Sequence, residues 1–198
     1  MDLNKLQKNL EARGFGFRLF ETAGEVADYL AGTLHGRTIG FGGSMTLDKL
    51  GLYERLSPDN QVFWHWKTPG PEALRAAANA QVYLTSVNAI AETGELLNID
   101  GTGNRISAAS SAKEAVYFIA GINKVAPDYD QALWRARNVA APLNARRLNR
   151  RTPCAAGELK CHDCKSPERI CNGLSVLWRK LGGVQTCEVL LIREDLGY

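Results

Sequence analysis

Apolar positions along the chain switch repeatedly between a helical period and short apolar runs. Leu3, Leu6 and Leu10 fall on one face of a helix that Gly14 stops, and Val26, Tyr29, Leu30 and Leu34 mark a second helix over about Glu21 to Leu34. Arg37 to Phe41 reads as a buried strand, followed by glycines and a helix from Thr46 with Leu47, Leu50 and Leu56 inward. Val62 to Trp66 predicts a strand, whose Trp64 and Trp66 read as core packing, with a partner interface as the alternative. Pro71 and Glu72 open a helix running to Asn79, because proline suits a first turn whose N–H is unpaired anyway. Val82 to Val87, Leu96 to Asp100, Val116 to Ile122 and Val189 to Ile192 predict further strands. Asp130 to Leu148 is helical in pattern, with Pro142 expected to kink or break it.

This alternation implies an α/β fold: a mostly parallel sheet flanked by helices. The length of 198 residues suits one such domain, residues 1–198. The hydrophobic fraction of 45% and charged fraction of 23% are those of a globular protein, not a disordered one. A net charge of +3 gives no ground to expect nucleic-acid binding. Residues 1–13 are polar with no apolar signal core, and no run reaches the about 18 residues of a membrane span. A cytoplasmic protein is expected. Charge is uneven, however: Arg135, Arg137, Arg146, Arg147, Arg150 and Arg151 crowd one stretch without a carboxylate. They read either as a solvated helix face or as a site for an anion.

Gly40-Phe41-Gly42-Gly43-Ser44-Met45-Thr46 joins a predicted strand to a helix. Glycines allow close backbone approach, and Ser44 and Thr46 add hydroxyls beside the unpaired N–H groups of a helix start. A phosphate or carboxylate site is one reading; a tight turn capped by Ser44 or Thr46 is the other. The pattern is neither a P-loop nor a dinucleotide fingerprint.

The run from Asn88 to Arg105 is dense in polar groups: Asn88, Glu92, Asn98, Asp100, Asn104 and Arg105 among them. Its bland reading is a hairpin turning at Thr93-Gly94. A hairpin also presents Glu92 and Asp100 to a cleft for acid–base work, and loops after strands are where α/β proteins bind ligands.

Gly42-Gly43-Ser44-Met45-Thr46-Leu47 and the long segment Ser86 to Arg105 together resemble the LUD-domain (lactate-utilisation) family, as does the closing Arg193 to Tyr198. The likeness covers roughly residues 15–130 and 184–198. It implies a fold of the ribose-5-phosphate isomerase, glucosamine-6-phosphate deaminase and CoA-transferase type. That superfamily binds phosphates, sugars or CoA esters near a glycine-rich turn and an acidic loop. It also implies a place in bacterial systems that oxidise L-lactate to pyruvate, with iron–sulfur or redox proteins as partners. Gly42, Gly43, Ser44, Thr46, Asn88, Glu92, Asn98, Asp100, Asn104 and Arg105 are the ligand-binding residues this suggests. No motif assigns a catalytic residue.

Residues 152–182 break the rhythm and read as a cysteine-rich metal-binding insertion. Cys154, Cys161, Cys164 and Cys171 follow the spacing C-x6-C-x2-C-x6-C. Four thiolates suit a tetrahedral zinc or an iron–sulfur cluster, and cytosolic cysteines are rarely disulfides. Arg150, Arg151, Lys160, Lys165 and Arg169 would offset the thiolate charge for either. The lactate-system resemblance favours [4Fe–4S], with zinc as the alternative; His162 is not needed as a ligand. Cys187, in a predicted strand, reads as a core cysteine.

Three functions follow as expectations: a subunit of organic-acid oxidation, a stand-alone enzyme on a phosphorylated or CoA-linked molecule, and a zinc-stabilised binding protein without catalysis.

Overall fold

The computed structural model describes residues 1–198. Helix α1 (Leu3–Ala12) is capped by Asp2, whose carboxylate accepts from the Lys5 N–H, and it buries Leu6 and Leu10. After β1 (Gly16–Phe20) a reciprocal capping box between Thr22 and Glu25 starts α2 (Ala23–Thr33). Then come β2 (Thr38–Phe41), the short helices α3 (Met45–Lys49) and α4 (Leu52–Leu56), β3 (Gln61–Phe63) and α5 (Pro71–Asn79). β4 (Val82–Thr85) leads to the hairpin of β5 (Ala89–Ala91) and β6 (Leu96–Asp100), then α6 (Asn104–Ser110) and β7 (Lys113–Gly121). The chain continues through β8 (Val125–Ala126), α7 (Tyr129–Arg135), α8 (Ala141–Arg147), α9 (Pro153–Ala156), β9 (Gly173–Leu177) and β10 (Val184–Ile192).

Six strands form one wholly parallel sheet in the order β1-β10-β7-β4-β2-β3. Its central strands are apolar on both faces, as a sheet covered on both sides requires. Along β7, Tyr117 and Ile119 join the core with Phe41 and Leu190, while Val116 and Phe118 join the opposite core with Leu10 and Leu191. Gly40 is obligatory in this packing. A Cβ there would lie 2.2 Å from the Ala77 carbonyl oxygen, so α5 rests directly on β2.

A second sheet of four strands, in the order β8-β5-β6-β9, carries the hairpin. Its strand β9 comes from the segment expected to be an inserted loop. It pairs antiparallel with β6, with Asp100 opposite Gly173, so residues 152–182 complete a sheet. The expected kink at Pro142 also takes another form. Between α7 and α8 the helix widens into a π turn over Ala136–Ala140 and runs on, which accommodates the proline ring and its missing N–H. Trp64 and Trp66 lie just beyond β3 and stack at 5.4 Å, and Trp64 is fully buried.

Candidate functional site

The carboxyl ends of β2 and β4 and the hairpin open on a cleft made of two adjoining cavities. One, of about 50 Å³, is lined by Ser44, Thr46, Ser86, Lys124 and Gly197; the other, of about 200 Å³, by Asp100, Thr102, Asn104, Ala140 and Arg150. Gly43, Trp66, Asn88, Arg105, Asn144 and Arg147 line both. Seven expected site residues therefore meet: Gly43, Ser44, Thr46, Asn88, Asp100, Asn104 and Arg105.

The glycine turn shapes this cleft differently from expectation. Neither Gly42 nor Gly43 takes a positive φ. Both are needed for close approach: a Cβ on Gly42 would lie 2.7 Å from Thr85 Oγ1, and one on Gly43 3.0 Å from Trp66 Nε1. Helix α3, only five residues long, offers little macrodipole. Ser44 Oγ accepts from the Leu47 N–H, and Thr46 Oγ1 donates to the Leu196 carbonyl. The turn gives the cleft its wall; cations give it its charge.

Asp100 ends β6 and caps α6. Its carboxylate accepts from the N–H groups of Thr102, Arg105 and Ile106 at 3.2, 2.9 and 3.2 Å. Burial would raise its pKa, but Arg105 and these backbone donors together hold it below the usual carboxylate value. Arg105 donates through Nη2 to the Ile99 carbonyl at 2.7 Å, while its buried Nε has no partner. An orphaned guanidinium N–H in a cleft is a donor for an acceptor from outside.

Asn88 is the joint of the hairpin: its Oδ1 accepts from the Ile99 N–H and its carbonyl from Arg135 Nη1. Asn104 Oδ1 accepts from the Thr102 hydroxyl. Arg147 lies over the Trp66 ring, 5.1 Å from its centroid, and donates to Asn144 Oδ1.

Glu92 and Asn98 do not reach this cleft. Glu92 accepts from the Asp2 N–H at 2.9 Å and pairs with Lys5, tying the hairpin tip to α1. Asn98 points into the interior with its Oδ1 unpaired. An acid–base pair of Glu92 and Asp100 is therefore not formed, because the turn at Thr93-Gly94 carries Glu92 toward α1. The Arg105 backbone N–H donates to Asp100 and its guanidinium to the Ile99 carbonyl, and neither reaches Glu92.

The residue that sequence reading missed is Lys124, which follows β7. Its Nζ is buried and donates to Ser86 Oγ at 2.9 Å, Thr46 Oγ1 at 3.0 Å and the Val87 carbonyl at 3.1 Å. No carboxylate pairs with it. Burial first, then Arg135 and Arg105, push its pKa well below the usual lysine value. A lone lysine closing the apolar run of β7 was the available signal.

The arginine-rich stretch divides its work. Arg135 holds the Asn88 and Asn123 carbonyls, Arg147 and Arg150 line the cleft, and Arg151 pairs with Glu168. Arg137 turns instead toward the cysteines, donating to Cys161 Sγ at 3.5 Å.

Cys154, Cys161, Cys164 and Cys171 are free thiols lining one cavity of about 380 Å³. Its other walls include Ile99, Leu133, Pro142 and Ile170. The Asp163 N–H points to Cys161 Sγ, Thr152 Oγ1 contacts Cys154 Sγ, and Arg169 donates to the Cys164 and Cys171 carbonyls. No three cysteine, histidine or carboxylate side chains stand close enough to hold a single metal ion. The tetrahedral single-ion geometry is thus not formed, and His162 does not line the cavity. Ile99, Ala141 and Ile170 line both this cavity and the cleft. Cys187 is apart in β10, where burial pushes its thiol up to about 12.

Fold and cleft define an α/β protein with a cationic cleft at the strand ends. Residues 3–192 match the LUD domain, and the chain belongs to that family. Among solved structures it is similar to a DUF162 family protein from Deinococcus radiodurans. That match has 13% identity over 96% of this chain and 95% of the other, with a TM-score of 0.55, a likeness of fold alone. A comparison with curated proteins gives no match.

Proposed function

We propose that this protein binds a small anion in its cleft and holds an iron–sulfur cluster in its cysteine cavity, as a cytoplasmic subunit of L-lactate or related organic-acid oxidation. The observation that carries the reading is the shared wall: Ile99, Ala141 and Ile170 separate the four thiols from the cationic cleft. A cluster so held would supply one-electron transfer beside the bound anion.

Four thiolates suit zinc or a cluster alike, and the lactate-system resemblance is what favours the cluster. Apolar walls, with Arg137 and Arg169 against the loop, suit a negatively charged cluster shielded from water. Arg105, Arg147 and Arg150, with the orphaned Arg105 Nε, suit a carboxylate or phosphate in the cleft. The LUD-family resemblance supports the lactate system, iron–sulfur or redox partners, and the isomerase, deaminase and CoA-transferase superfamily.

A second reading is an enzyme on a phosphorylated or CoA-linked molecule. Arg147 over Trp66, lining both cavities, favours it, because a guanidinium held on an aromatic ring is positioned for a phosphate.

Anaerobic purification with iron, sulfide and zinc analysis tests the first reading. Visible absorbance bleached by dithionite is expected; colourless protein with stoichiometric zinc would replace the cluster by zinc. Calorimetric titration with lactate, phosphate, a sugar phosphate and CoA, on wild type and Gly43→Val, tests the cleft.

A further inference from the structure

We propose that Lys124 is a nucleophilic amine that condenses with the carbonyl of a small anionic aldehyde or ketone held in the cleft. The inference rests on the reading of the cleft as an anion site and names the chemistry that site performs.

Three observations converge on Lys124. Lys124 lines the same cavity as Arg105 and Arg147, so a ligand whose anionic group meets the guanidiniums lies beside this lysine. The charged groups facing it are Arg105 and Arg135, both cations, and it has no carboxylate partner. This environment favours the neutral, nucleophilic form, which buried lysines need for imine chemistry. In the structure Nζ donates to Thr46 Oγ1, the Val87 carbonyl and Ser86 Oγ. A neutral amine would keep the first two bonds, and the Ser86 hydroxyl, 2.9 Å away and donating to Thr46 Oγ1, would turn its proton to the nitrogen. Ser86 is then placed to pass a proton between the amine and the carbonyl oxygen.

The step balances without a further reagent. The nitrogen lone pair forms the C–N bond, and the carbonyl π electrons move to oxygen. The two amine hydrogens leave with that oxygen as water, giving the imine. Nothing is oxidised or reduced. Gly197 fits this arrangement, since a Cβ there would stand 3.2 Å from Lys124 Nζ and 2.6 Å from Thr46 Oγ1.

The test is reductive trapping on the full-length chain. Pyruvate serves as a carboxylate-bearing ketone and dihydroxyacetone phosphate as a phosphate-bearing one, each with cyanoborohydride and peptide mapping by mass spectrometry. One adduct per chain on Lys124 is expected, saturating with probe and suppressed by excess inorganic phosphate. The probe that labels at the lower concentration identifies the anionic group. Buried Lys113, which donates to the Ala78 carbonyl outside the cleft, is an internal control and should remain unlabelled. Lys124→Arg should lose the adduct, with circular dichroism and a thermal melt showing that the fold is kept. Labelling spread over exposed Lys49, Lys67 and Lys165 with none on Lys124 overturns the proposal. Calorimetry of each probe without reductant separates the two readings. Binding without a Lys124 adduct removes the imine and leaves the anion site; neither binding nor adduct removes both.

Discussion

Lys124 Nζ and Ser86 Oγ stand 2.9 Å apart, with no carboxylate to balance the lysine. Their elements, the end of β7 and the segment after β4, are neighbours in the parallel sheet. The pair therefore stands at the carboxyl ends of adjacent strands, where the backbone turns away and leaves a crevice.

The lysine should be visible in the pH dependence of stability. Its folded pKa lies well below the unfolded value of about 10.4, so the native state binds fewer protons in the window between. The resulting destabilisation is fully present below the folded pKa. It is relieved as pH rises through the window. Lys124→Met abolishes this titration, while the partners it strands at Ser86, Thr46 and Val87 cost about the same at every pH. Wild type should accordingly gain stability relative to Lys124→Met as pH rises toward the unfolded lysine value of about 10.4. Urea midpoints across that range check it; a constant difference would contradict the assignment.

Arg105 should dominate anion affinity. A hydrogen bond to a charged group contributes about 1.5–3 kcal/mol, so Arg105→Met should weaken phosphate or carboxylate binding by at least about tenfold. The substitution also removes the cation that lowers the Asp100 carboxyl. Calorimetry at two pH values reads both effects, and unchanged affinity would show that Arg105 only braces Asp100.

Gly40→Ala should be among the most damaging single-methyl additions. The new carbon would meet the Ala77 carbonyl oxygen at 2.2 Å, and α5 has to move off the sheet. Overpacking of this kind costs about 1–3 kcal/mol. Thermal melts of Gly40→Ala beside Gly32→Ala, where a Cβ meets nothing within 4 Å, isolate the packing cost.

Each of Cys154→Ser, Cys161→Ser, Cys164→Ser and Cys171→Ser should lower iron content and destabilise β9, since site formation contributes folding free energy. The loss should reach β6, which pairs with β9 from Leu96 to Asp100. Hydrogen exchange at Asp100 and along β9 reports it. Full metal retention in all four variants would refute ligation by these cysteines.

The sequence pattern made the sheet readable because its strands are buried on both faces and carry unbroken apolar runs. Pro71 and the Leu96–Asp100 strand are found where local chemistry puts them. Strand β1 escaped notice: it is an edge strand, and Gly16–Phe20 is only partly buried. Strand β9 was hidden because its apolar residues sit among cysteines and charges, and its pairing with β6 is long-range. The site was legible where it is local, in Gly43, Ser44 and the Asp100–Arg105 cap. Lys124, Arg147 and Trp66 reach the same cleft from other elements, and periodicity gives a residue's face without saying which faces meet. Glu92 shows the converse: close in sequence to Asp100, it is directed to α1 by one turn.

The strand order has a consequence for how the protein is made. β10 comes after every other strand of the sheet in chain order, yet it lies inside the sheet between β1 and β7. Until it is synthesised, β1 has no partner and one edge of β7 stays open. The nascent chain therefore carries unpaired apolar edges through most of its translation. Closure must then bring together residues near 16 and 188, a contact spanning most of the chain, which makes folding slow and late. Chaperone demand during synthesis is a direct result of where this one strand is inserted.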